Sequence, residues 1–149
     1  MVKAFAAKLM EITERHAADI AANWYRDVTR NPRTPAYHDL SGEKLIPQAV
    51  EFYGNFSKMF LSEKPYVEEE KYFTRYAEFS FTDRIPLHEA LYALILMRRH
   101  IWLYAQFQAI FITAVEHQQA VESLNHTILL FDYAIYIITR RYQEIACAQ

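Results

Sequence analysis

Apolar side chains recur at helical spacing along most of the chain, and the breaks fall where proline, glycine and short polar residues cluster. Phe5, Leu9, Ile12, Ile20, Trp24 and Val28 form one broad apolar side of a helix, A, expected from about Lys3 to Thr29 and ended by Pro32. Ser41 reads as the N-cap of helix B, because its hydroxyl can accept from an orphan amide, and Pro47 stays in the first two turns where its missing donor matters least. Helix B carries Ile46, Val50, Tyr53, Phe56 and Phe60 towards the core as far as about Leu61, with Pro65 as its stop. Helix C is expected from about Tyr66 to Phe81. Glu68, Glu69 and Glu70 in its first turn read as a solvated face that complements the helix dipole. Helix D starts around Thr82, Asp83 and Pro86 and runs to about Ala114. Helix E runs from Glu116 onwards after a turn or kink near Val115 to Gln119, unless D and E are one bent helix.

Two glycines in 149 residues, with no Asn-Gly or Asp-Gly, leave nothing to punctuate a β-rich fold. The expected class is therefore all-α: a single-domain antiparallel bundle of about five helices over residues 1–149, of which a globin-like arrangement is one form.

On a helical wheel, Leu91, Leu94, Ile95, Arg98, Trp102, Ala105 and Ala109 share one side of helix D. Leu96, His100, Leu103, Tyr104 and Phe107 share the opposite side, and His88, Arg99 and Gln106 form a strip between. A helix apolar nearly all round is a central one. Helix E has the same character, and its interior charge is Asp132, on the side of Asn125, Ile128 and Ile135. A buried charge needs a partner, so Arg98 or Arg99 is expected to pair with Asp132. Such a pair either fixes helix register or belongs to a pocket for an anionic small molecule, with Asn125 and Trp102 beside it.

Composition narrows the function classes. A net charge of -2 gives no broad attraction to phosphate, so nucleic acid is not an expected partner. The single cysteine, Cys147, has no internal disulfide partner, and no secretory leader pattern precedes helix A, which points to the cytoplasm. The longest uncharged apolar stretch, Ile101 to Val115, is shorter than the roughly 20 residues a membrane span needs. No Glu-x-x-His occurs, and Glu122 with His126 supplies too few ligands, so no metal site is expected. There is no Gly-x-Ser-x-Gly elbow and no Gly-rich phosphate loop, so the chain does not read as an enzyme. Haem is the cofactor alternative, with His100 or His126 as axial ligand in a globin-like pocket; otherwise no cofactor is implied.

The stretch from Arg75 to Trp102 resembles the middle of the RsbRD N-terminal domain family, the helical input domains of stressosome RsbT co-antagonists and of some bacterial histidine kinases. The resemblance rests on Leu87-His88-Glu89, two apolar turns, and the arginine of Met97-Arg98 or Arg99. Trp24 before a proline-containing break, Leu124-Asn125, Asp132 and Tyr142 extend it over about Ala21 to Tyr142. Where the family often has a glycine before its Leu-x-Glu, this chain has Asp83-Arg84-Ile85-Pro86. The resemblance implies a sensory or regulatory module, dimeric, passing a signal down its last helix to an output domain or partner. It carries no uniform ligand or catalytic set. The last helix of the family usually continues into a STAS or kinase domain, so a chain closing on Cys147-Ala148-Gln149 reads as an excised domain or a stand-alone regulator. A haem or small-ligand carrier and a dimerisation scaffold are the alternatives.

Overall fold

The computed structural model describes residues 2–60, 65–107 and 114–148, with side chains described for 9–59, 66–105, 125 and 127–148. Among the described residues the chain is all-α: α1 (Val2–Arg15), α2 (Ala17–Val28), a 3-10 turn (Pro35–Tyr37), α3 (Gly42–Gly54), α4 (Phe56–Phe60), α5 (Pro65–Thr82), α6 (Leu87–Phe107) and α7 (Ala114–Ala148). No helix among them is long and apolar enough to cross a membrane.

Two of the five expected helices are each divided. Helix A breaks at His16, whose φ of -109° and ψ of 25° leave the helical basin. The hydrogen-bond ladder still runs through the break, from His16 N to Ile12 O and from Ile20 N to His16 O, each 3.0 Å, so α1 and α2 meet at a kink. Helix B breaks at Asn55, where the backbone N–H and the side-chain amide both donate to Glu51 O, at 3.1 and 2.8 Å. Ser41 caps α3 as expected, its hydroxyl accepting from Glu43 N at 3.1 Å. Val115 to Gln119 is helix and not a turn, and the link from Phe107 to Ala114 lies outside the described residues.

The α5–α6 corner is a Schellman turn. Ile85 N donates to Ser80 O and Arg84 N to Phe81 O, both at 3.0 Å, which leaves Arg84 in the left-handed region at φ 60°. That is the conformation in which glycine is unstrained, so Arg84 occupies a backbone position that favours glycine.

The core is one cluster with residues from every helix, and its centre is aromatic. Phe52 is fully buried and meets the rings of Phe56, Tyr72, Phe73 and Phe131 at centroid distances of 5.4 to 5.9 Å. α7 lies chiefly along α5 and also touches α1, α4 and α6, whereas α2 lies against α3 and α6.

Candidate functional site

α6 holds the residues that the sequence singles out, and it is anchored from three sides. Its deeply buried positions are Glu89, Ala90, Ala93, Leu94, Leu96, Met97, Ile101 and Ala105. Along this face three carbonyls accept a second hydrogen bond from buried aromatic donors. Tyr76 of α5 donates to Ala90 O at 2.8 Å, Trp24 of α2 to Ala93 O at 2.9 Å, and Tyr53 of α3 to Met97 O at 2.8 Å. A buried hydroxyl or indole N–H must find an acceptor, and helix carbonyls are what the core offers. Glu89 is almost fully buried and accepts from Ala36 N at 2.7 Å, so the acid of the Leu-x-Glu motif closes the 3-10 turn. Tyr142 donates to Ile85 O at 2.9 Å and ties α7 to the α5–α6 corner.

The expected pair between Arg98 or Arg99 and Asp132 does not form. Arg98 is half-buried at the margin of the buried face of α6, Arg99 is exposed, and Asp132 is exposed on α7. The inward positions of α7 are Thr127, Leu130, Phe131, Ala134, Ile137, Ile138 and Tyr142. Asn125, Ile128, Leu129, Asp132 and Tyr136 make its outward stripe. The wheel grouped Asp132 correctly with Asn125 and Ile128, but that group faces solvent. A helix with apolar residues on both sides does not declare which side is core. Trp102 is half-buried on α6, and the side chain of His126 lies outside the described residues.

What the structure does bring together is His100 and Asp27. His100 Nε2 lies 2.7 Å from Asp27 Oδ2, with the two side chains 13% and 28% exposed, so the contact sits at the mouth of a groove and not in the core. A carboxylate only accepts, so Nε2 carries a proton and donates, and Nδ1 is left outside the contact. Asn31 fixes the carboxylate from the other side, its amide 3.2 Å from Oδ1. The groove, about 420 Å³, lies between α2 and α6 and is lined by Asn23, Arg26, His100, Leu103 and Tyr104. The Arg26 guanidinium donates to Asn23 Oδ1, and the Tyr104 ring lies tilted by 39° against His16, 5.2 Å between centroids. Nε2 of His100 is engaged by Asp27, so Nδ1 is the ring nitrogen left to meet an iron. No three potential metal ligands cluster among the described residues. His100, Leu103 and Tyr104 were legible as one helix side; Asp27, 73 positions away, carries no sequence signal that would join it to them.

A second charged group departs from expectation. Of the three glutamates opening α5, Glu69 is not solvated but buried, 4% exposed, in line with Phe73, Tyr76, Ala77 and Ser80. Its Oε2 has no hydrogen-bond partner, and burial pushes the carboxyl from the ordinary 4.5 up to about 7. Its neighbour Glu70 pairs with Arg140 of α7, and the next residue of α7, Arg141, meets Glu78, two turns further along α5, at 2.8 Å.

Compared with known proteins, the chain matches no protein-family model, no curated protein and no solved structure.

Proposed function

We propose that the chain is a non-enzymatic, cytoplasmic sensory or regulatory input domain of a bacterial signal-transduction protein, of the stressosome co-antagonist or histidine-kinase kind, with α7 as its relay. The observation that supports this most is the His100–Asp27 contact. It is a polar, solvent-touched link from the end of α2 to the middle of α6, and α6 is one of the helices on which α7 rests. An event in the groove therefore acts on a helix in contact with α7, in the manner of a two-state helix interface. The outward stripe of α7, with Leu129 63% and Tyr136 55% exposed, is the surface on which a second copy or a downstream signalling protein would dock.

Asp27→Asn keeps the shape of the contact and removes its charge. The relay reading expects altered hydrogen exchange in α7 residues 127–142 of this variant, with far-UV circular dichroism unchanged. Exchange altered only in α2 and α6 would contradict it. The exposed stripe taken alone favours a dimerisation scaffold, and that reading expects a dimer by light scattering that Leu129→Glu dissociates while α7 ignores Asp27→Asn.

A further inference from the structure

We infer that the α2–α6 groove binds a small organic carboxylate with a flat apolar body, held by Arg26 and seated against Tyr104 and Leu103. The inference rests on reading the His100–Asp27 seam as the input of the domain. No carboxylate lines the groove: its five side chains are a guanidinium, a carboxamide, an imidazole, a phenol and a leucine. Two acids border it: Asp27 is taken by His100 and Asn31, and Asp19 lies 3.6 Å from His16 Nδ1, where its charge also bears on Tyr104. Arg26 has no carboxylate partner among the described residues; it contacts only the side-chain oxygen of Asn23. Because Asn23 accepts with that oxygen, its NH₂ remains to donate, beside the remaining guanidinium donors and the Tyr104 hydroxyl. The polar side of the groove therefore offers mainly donors and one permanent positive charge, the complement of a carboxylate.

The apolar side selects the body. Leu103 is 45% exposed, and Tyr104 meets the His16 ring in a tilted contact, so the two side chains give a ring an apolar wall to lie against. A volume of about 420 Å³ suits a single-ring acid and falls within the range of metabolite pockets, whereas a bare inorganic oxyanion leaves Leu103 uncovered.

The test is calorimetric titration of the 149-residue chain with benzoate, the neutral isostere benzamide, and inorganic phosphate. Benzoate is expected to bind saturably, and benzamide and phosphate to bind at least about ten-fold more weakly, the equivalent of losing one charge-assisted contact. Arg26→Gln, on an exposed position of α2, is expected to raise the benzoate Kd by about the same factor with the fold intact by circular dichroism. His100→Gln, a second variant on the facing helix, should weaken benzoate by a smaller factor. No saturable benzoate binding overturns the inference, as does benzamide or phosphate binding equally well, or an Arg26→Gln Kd equal to wild type. Benzoate binding that leaves α7 exchange unchanged keeps the site and removes the relay. An α7 response to Asp27→Asn without benzoate binding keeps the relay and removes the ligand.

Discussion

α6 and α7 are the two longest helices described, and they are held in opposite ways. α6 is fixed by three neutral, buried donors from three different helices, each aimed at one of its carbonyls. Along its seam with α5, α7 is held by Arg140–Glu70 and Arg141–Glu78 at the surface, by Tyr142 at the corner, and it covers a carboxyl with an unmatched oxygen. Buried hydrogen bonds resist exchange with water, whereas exposed ion pairs are worth little and are screened by salt. On the proposed reading α6 would serve as the frame and α7 as the element displaced on signalling, although α7 too is pinned by one buried donor, Tyr142 to Ile85 O.

The comparison can be broken hardest at the aromatic centre that both helices share. Phe52→Ala should cost about 3–5 kcal/mol in urea unfolding, since the ring is fully buried among four others. A loss below about 1 kcal/mol would mean that the core closes without it.

Next comes Glu69, which acts on the α5–α7 side. Below pH 4.5 both folded and unfolded chains hold this proton, and its contribution to stability is intact. As the pH rises the unfolded chain releases the proton first, while the folded chain keeps it until about 7, so stability falls across that window and stays low above it. The loss is on the order of 2–3 kcal/mol. Glu69→Gln should abolish this slope and be more stable than wild type at pH 8; parallel pH profiles for the two proteins would remove the argument.

Arg84→Gly sharpens the corner where α5 turns into α6. Relieving the left-handed residue should raise stability by about 1 kcal/mol, read as a higher urea midpoint at unchanged slope. The smallest effect is expected on the seam itself. Arg141→Gln, at a pair 34% and 45% exposed, should change stability by less than about 1 kcal/mol, and less again in high salt.

Much of the helix order was legible because the prolines, Ser41 and Gly42 punctuate it and apolar spacing fills the intervals, whereas Gly54, beside the break at Asn55, was read through. The kink at His16 was not, since no proline or glycine marks it. Asp132 was misplaced for a different reason: α7 is apolar on two sides, and only the neighbours choose the inner one. Glu69 did carry a signal, its spacing of four, seven, eight and eleven from Phe73, Tyr76, Ala77 and Ser80, but three adjacent glutamates read more readily as a solvated run. Of the groove, its α6 half was visible as His100, Leu103 and Tyr104 on one wheel side. Its α2 half was not, because a contact across 73 positions is made by packing and not by local pattern.

The central claim, a fixed α6 and a displaceable α7, is tested most directly by native-state hydrogen exchange at increasing urea. The account predicts that amides of Ala90 to Ile101 in α6 exchange only through global unfolding, while those of Thr127 to Tyr142 in α7 open first, at a lower free energy. If the α7 amides merge with the global unfolding limit together with α6, the two helices form one rigid unit and the relay is contradicted.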